Sequence, residues 1–112
     1  MPNKAMQLDR VFRALGDPTR RAVLGRLSGG PAAVSELARP FHMALPSFTQ
    51  HLGVLDGCGL VRSRKIGRVR TFELVPQPLQ AAESWMVEQR ALWERRLDQL
   101  DDYLKDLKER EE

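Results

Sequence analysis

The chain has 112 residues, of which 42% are apolar and 29% are charged, and this composition is typical of a single globular domain. No apolar run approaches the roughly 20 residues that a membrane-spanning helix needs, and no signal-peptide pattern occurs, so we expect a soluble intracellular protein. The single cysteine, Cys58, excludes an intrachain disulfide.

Two helices are predicted at the start of the chain. The first has an apolar face with i, i+3, i+4, i+7 spacing, formed by Leu8, Val11, Phe12 and Leu15. We expect Gly16 to end it as a left-handed cap. Asp17 and Pro18 are typical of the N-cap and the first position of a second helix. The buried face of that helix is expected to hold Val23, Leu24 and Leu27.

A short third helix and a longer fourth helix are predicted next. The third begins near Ser35 and should end early, because the residue before Pro40 is pushed away from helical geometry. Its expected core residues are Val34, Leu37 and Phe41. The fourth helix is predicted over residues 46–56, with a buried stripe of Leu45, Phe48, Leu52 and Leu55. At 100° per residue, this stripe leaves Gln50 on the opposite, exposed face.

A basic hairpin is predicted over Val61–Val75, with Gly67 at its turn. Residues 59–75 carry five basic residues and one acidic residue, a net charge of +4, whereas residues 76–112 carry six basic and ten acidic residues, a net charge of −4. The basic side chains of the hairpin are Arg62, Arg64, Lys65, Arg68 and Arg70. Facing like charges destabilise a sheet, so this concentration favours a polyanionic partner on one face. A solvated edge that resists aggregation is the alternative.

One long helix is predicted over residues 78–108. A helix of about 30 residues is about 45 Å long, which the preceding part of the chain is too small to cover. Its apolar stripe consists of Met86, Trp93, Leu97, Leu100, Leu104 and Leu107, with Trp85 and Tyr103 beside it. We therefore expect this helix to pair two copies of the chain. The alternative is an intramolecular core helix with a frayed, acidic end.

The order of these elements is mainly α with a two-stranded β wing, and it indicates a single winged helix-turn-helix domain with a core at 6–75. The exposed face of the fourth helix offers small and polar side chains that suit duplex DNA: Pro46, Ser47, Thr49, Gln50 and His51. A glutamine can make paired hydrogen bonds to adenine, and hydroxyl groups near a helix N-terminus can bind phosphates. Arg68 at the turn could enter a narrow minor groove. A plain solvent-facing helix is the alternative.

Several motifs occur in one order and spacing between residues 8 and 75: Leu15-Gly16-Asp17-Pro18-Thr19-Arg20-Arg21, Val34-Ser35-Glu36-Leu37-Ala38, Gln50-His51-Leu52-Gly53-Val54-Leu55, Gly59-Leu60-Val61 and Gly67-Arg68. Together they resemble the arsenical-resistance-repressor (ArsR/SmtB) family of bacterial winged helix-turn-helix regulators. The tail, with its tryptophans, is similar to variants of this family that lack metal sites.

The resemblance implies a homodimeric repressor on double-stranded DNA in the bacterial cytoplasm, associated with the nucleoid. Residues 46–51 would then lie in the major groove and residues 62–70 would form the wing. Two such helices about one DNA turn apart would bind a near-palindromic operator. The first and last helices would form the dimer interface through Leu8, Val11, Phe12, Trp85, Met86, Trp93, Leu97, Leu100 and Leu104. One departure is Ala44, which stands where the family commonly has a capping serine.

Metal sensing is not expected. Metal-sensing members of the family use paired cysteines in the third helix or a His/Asp/Glu set on the last helix. Residues 35–39 hold no cysteine, and no histidine follows His51. His42, His51 and Cys58 lie on separate segments, so we expect neither a metal site nor a cofactor.

Two other classes of function compete with a DNA-binding regulator. An enzyme is not expected, because the sequence has no Gly-rich phosphate loop, no Cys/His pair with an orienting partner and no carboxylate cluster in an apolar segment. The alternative function is a winged-helix protein-interaction module that docks through its long last helix. A DNA binder differs from such a module because its affinity falls steeply with salt. No residue pattern indicates an effector.

Overall fold

The structure, a computed structural model, describes residues 4–111. The described chain runs through helices α1 (Lys4–Leu15) and α2 (Pro18–Leu27), strand β1 (Ala32–Ala33), helices α3 (Val34–Ala38) and α4 (Leu45–Gly57), strands β2 (Val61–Ile66) and β3 (Val69–Leu74), and helix α5 (Gln77–Glu111). The predicted order of five helices with a hairpin before the last one is confirmed. The mainly helical winged helix-turn-helix class is confirmed with it.

The sheet contains one strand more than the sequence indicated. Its three antiparallel strands lie in the order β1-β3-β2, with Ala32 opposite Phe72 and Ala33 opposite Thr71. The expectation of a two-stranded wing is therefore corrected. A strand of two alanines is too short to show an alternating pattern. It pairs with β3 because the fold brings the two segments together, and not because of a local preference for strand geometry.

The C-terminus of α1 differs from the prediction. Gly16 does not adopt the left-handed cap conformation, because among the described glycines only Gly30, Gly59 and Gly67 have positive φ. Its N–H instead donates to the Arg13 carbonyl at 3.2 Å. Asp17 follows at once in the extended geometry of an N-cap, and its carboxylate accepts from the Arg20 N–H. The predicted cap of α2 and its first-turn proline, Pro18, are thus confirmed.

Helix α4 is held by three buried side chains, Phe48, Leu52 and Leu55. Leu45 was expected in the same stripe, but it is 57% exposed, since it is the first residue of the helix and lies a turn before the contact with the core begins. Phe48 is 0% exposed and stacks on Phe41 with ring centroids 5.4 Å apart. The face opposite these residues is the exposed face that carries Gln50.

The described residues up to Ala82 form one compact unit, and those from Glu83 onward form a second. The buried residues of the first unit come from all of its elements and form one hydrophobic core. Val11, expected at a dimer interface, is 1% exposed within this core, so its side chain has no surface left for a partner and that expectation is corrected. Leu8 and Phe12 are half-buried beside it. No described helix is long and apolar enough to cross a membrane.

Candidate nucleic-acid interface

The exposed face of α4 carries four of the five side chains that were predicted from the sequence: Pro46, Ser47, Thr49 and Gln50. The Thr49 hydroxyl donates to the Pro46 carbonyl at 2.9 Å, so its proton is used within the first turn and its oxygen remains an acceptor. Neither Ser47 nor Gln50 makes a hydrogen bond through its side chain to another described residue. Both are therefore available to a ligand that approaches this face.

The fifth side chain, His51, lies apart from that face. It is half-buried, and its Nδ1 atom is 3.0 Å from Nη1 of Arg20 and 3.7 Å from Oδ2 of Asp17. The imidazole thus packs against the beginning of α2. In the sequence, Arg20 stands out only as part of a family-like motif, because a pairing across 31 positions leaves no trace in local periodicity.

The charges of the wing are partly neutralised within the hairpin. In the ladder, Arg62 faces Glu73 and Arg64 faces Thr71. Glu73 accepts a hydrogen bond from Nε of Arg62, and Nη2 of Arg64 lies 3.7 Å from the same carboxylate. The hydrogen bond from Arg62, helped by the charges of both arginines, lowers the pKa of Glu73. The carboxylate of Glu73 therefore partly neutralises two of the five basic side chains of the wing.

The other three basic residues have no carboxylate within 4 Å in the described part of the chain. Lys65 and Arg70 face each other directly in the ladder. Arg70 donates to the Ser63 hydroxyl at 2.8 Å, a neutral partner. Arg68 is exposed at the turn beside Gly67, whose φ of +64° suits a tight hairpin turn. The remaining like-charge repulsion at this end of the hairpin is what an anion would relieve.

An open cleft of about 270 Å³ lies between α4 and the sheet. Its walls are formed by Val34, Thr49, Leu52, Gly53, Asp56, Ser63, Arg70 and Phe72. Thr49 and Arg70 thus border the same concave surface, although they come from the helix and the wing. The helix face and the basic hairpin form one continuous candidate interface.

The residues considered as metal ligands are not brought together. No group of three or more His, Cys, Asp or Glu side chains within residues 4–111 is arranged to hold a metal ion. Cys58 is buried at the C-cap of α4, where its thiol donates to the Leu55 carbonyl at 3.4 Å. Its environment is that of a small buried side chain.

Helix α5 from Glu83 onward carries an apolar surface of its own. Its large apolar side chains are exposed in the single chain, and they include Trp85, Met86, Trp93, Leu97, Leu100 and Leu104. The guanidinium of Arg96 lies 5.8 Å from the centroid of the Trp93 ring. From Trp93 onward, Leu97, Leu100 and Leu104 follow the spacing of a single helix face.

A helix with an exposed polar face, joined to a basic hairpin, defines a winged helix-turn-helix DNA-binding protein. A family model described as a helix-turn-helix domain matches residues 15–64. An HTH-type transcriptional regulator of Mycobacterium tuberculosis, Rv2034, is 47% identical over 73 residues, which are 65% of this chain and 68% of that protein. The transcriptional repressor SdpR of Bacillus subtilis is 31% identical over 80 residues, or 71% and 89% of the two chains.

Solved structures agree with these relatives. The crystal structure of an ArsR family transcriptional regulator has a TM-score of 0.78 and 56% identity, covering 84% of this chain and 97% of that one. The homodimeric winged helix-turn-helix DNA-binding domain of a Mycobacterium bovis protein has a TM-score of 0.60 and 27% identity, covering 77% and 82%. The chain belongs to the ArsR family and is a DNA-binding transcriptional regulator.

Proposed function

We propose that this protein is a homodimeric repressor that binds a near-palindromic operator. Helix α4 enters the major groove and residues 62–70 contact the phosphate backbone or the minor groove. The observation that carries the proposal is the exposure of Gln50 on a helix whose opposite face is buried through Phe48, Leu52 and Leu55. That arrangement presents an amide to base edges on a rigid support, which is what bidentate recognition of adenine needs.

The proposed roles divide between specificity and affinity. Gln50, with Ser47 near the helix N-terminus, would discriminate between sequences. Lys65, Arg68 and Arg70, which have no carboxylate partner among residues 4–111, would supply most of the affinity that is independent of sequence. Arg62 and Arg64 both interact with Glu73, so they would contribute less to this affinity.

Repression and dimer formation are supported by the relatives together with α5. SdpR is named a transcriptional repressor, and the Mycobacterium bovis domain is described as homodimeric. The exposed apolar face of α5 is a surface that a second copy would cover. Two copies would place two α4 helices on successive turns of the duplex. Because the two copies are identical, the site that they bind would be near-palindromic.

The test begins with selection of bound fragments from random duplexes, followed by affinity measurements on the selected site at several salt concentrations. Arg68→Ala should weaken binding to every duplex and reduce the log–log salt slope by about 0.9 for each phosphate that is no longer neutralised. Arg64→Ala should do the same to a smaller extent. Gln50→Ala should remove about 1–3 kcal/mol of discrimination at one base pair and leave the salt slope unchanged.

The control for the wing variants is Arg110→Ala, which removes the same charge from the end of α5. Its affinity for the selected site should match that of the wild type. Unchanged affinity in the Arg64, Arg68 and Gln50 variants together would contradict the proposed function. In that case α4 and the wing would not be the DNA-contacting surface.

A further inference from the structure

The guanidinium of Arg20 lies at the junction of three helices. Its Nε donates to the Ala14 carbonyl at 2.8 Å and its Nη2 donates to the Arg13 carbonyl at 3.0 Å. These bonds cap the C-terminus of α1, where the helix dipole favours a cation. Its Nη1 lies 3.0 Å from Nδ1 of His51 on α4. A single side chain of α2 therefore connects the end of α1 to the DNA-facing helix.

The contact between Arg20 and His51 selects one tautomer of the imidazole. A guanidinium only donates hydrogen bonds, so Nδ1 of His51 accepts in this contact, which corresponds to the tautomer with its proton on Nε2. Asp17 lies beside this contact: its Oδ2 accepts from the Arg20 backbone N–H at 3.0 Å and lies 3.7 Å from Nδ1 of His51. That hydrogen bond is the main reason why the pKa of Asp17 is lowered, and it keeps the carboxylate ionised.

The contact also bears on the orientation of α4. Phe48, Leu52 and Leu55 hold the helix against the core through apolar contacts, which are non-directional. A hydrogen bond from a planar, anchored guanidinium is directional. His51 is adjacent to Gln50 in the chain, so fixing the His51 ring also fixes the rotation of α4 about its axis and the direction of Gln50.

We propose that Arg20 is a positioning residue for DNA recognition: through the imidazole of His51, it holds α4 in the rotation that presents Gln50 to the bases. This inference rests on the proposed function, since orientation of α4 matters only if α4 contacts DNA. It assigns His51 a role within the protein rather than on the DNA.

The first measurement is made on the full chain without DNA. Long-range ¹H–¹⁵N correlation spectra at neutral pH should show His51 as the Nε2-protonated tautomer, with Nδ1 as an acceptor. Arg20→Met should remove that preference and give a mixture of tautomers. Arg21→Met is the matched control: Arg21 donates to the Leu15 carbonyl at 2.7 Å at the same helix end, so this variant should leave the His51 spectrum unchanged.

The second measurement is the affinity for the selected operator. Arg20→Met and His51→Ala should each weaken binding about tenfold, in line with the loss of one hydrogen bond to a charged group, and the double variant should be no weaker than either single one. His51→Asn places a carbonyl oxygen near the position of Nδ1 and should restore most of the affinity. Arg21→Met should bind like the wild type.

Four results would overturn the positioning role. They are an Nδ1-protonated His51 in the wild type, full affinity in Arg20→Met, additive losses in the double variant, and an equal loss in Arg21→Met. Additive losses would instead indicate that His51 contacts DNA directly. Failure of the proposed function is distinguishable from all of these, because the wild type itself would then select no duplex, whatever the His51 spectrum shows.

Discussion

Glu73 lies directly opposite Arg62 in the β2–β3 ladder and accepts a hydrogen bond from its guanidinium. It is the single acid among residues 59–75, so its position controls how much of the wing's charge is balanced. Glu73→Gln should slightly destabilise the hairpin and should strengthen sequence-independent DNA binding, because Arg62 and Arg64 lose their common carboxylate. Filter binding to a random duplex at low and high salt would measure the change, with Glu94→Gln on α5 as the charge-matched control.

The same carboxylate gives a pH dependence of stability. Because the pKa of Glu73 is lower in the folded state than in the unfolded chain, its contribution is fully present above the unfolded pKa. It is lost as the pH falls through the lowered folded pKa. The difference in urea midpoint between wild type and Glu73→Gln should therefore be largest near neutral pH and vanish in strong acid. A difference that grows on acidification would contradict the assignment.

Phe48 connects helix α4 to the core. It is 0% exposed and stacks on Phe41, so Phe48→Ala should cost about 3–5 kcal/mol of unfolding free energy through reduced burial and the cavity left behind. Urea denaturation would measure this loss, and Phe48→Leu should cost much less because it refills most of the volume. Operator affinity should fall with the folded fraction. An Ala variant as stable as the wild type would show that α4 is not anchored here.

Some elements of this fold can be predicted from the local sequence, and others depend on tertiary contacts. Asp17 and Pro18 predict the start of α2 because the capping of a helix depends on neighbouring residues. Gly67 predicts the hairpin turn because turn geometry is also local. Strand β1 has no such pattern, since Ala32 and Ala33 pair with β3 only through tertiary placement. The Arg20–His51 contact and the pairing of Arg62 with Glu73 are long-range, so local patterns do not predict them. A count of the charges in the wing therefore overestimates the repulsion among its basic side chains.

The turn of the wing depends on Gly67. Its φ of +64° is unfavourable for residues with a Cβ atom, so Gly67→Ala should destabilise the protein by about 1–2 kcal/mol, whereas Gly67→Asn should be tolerated better. Gly53→Ala is the opposing control: Gly53 lies within α4, and apart from the neighbouring backbone of that helix a Cβ there would meet no described atom within 4 Å, so that variant should gain up to about 1 kcal/mol. Thermal denaturation of both variants would check the opposite signs.

The apolar face of α5 provides a test of dimer formation. Leu100→Asp places a charge on the proposed interface and should shift the protein to monomers in sedimentation equilibrium. Operator affinity should fall with it, because each monomer would then bind a half-site alone. Gln99→Asp adds the same charge beside the stripe and should leave the dimer intact. A dimer that survives Leu100→Asp would place the interface elsewhere on the chain.

Ala44 is the N-cap residue of α4, and it cannot cap with its side chain. Its φ of −62° and ψ of 142° are already the extended geometry that a capping residue adopts, and its carbonyl accepts from the Phe48 N–H at 3.1 Å. A serine here needs no backbone adjustment, and its hydroxyl would accept from the Ser47 N–H. Ala44→Ser should therefore stabilise the protein by about 1 kcal/mol, measured as a rise in the urea midpoint with an unchanged slope.

The control is Ala91→Ser, at an exposed position inside α5. This substitution should lower stability slightly, because serine is a poorer helix former than alanine. Equal effects of the two substitutions would show that the N-terminus of α4 gains nothing from a cap.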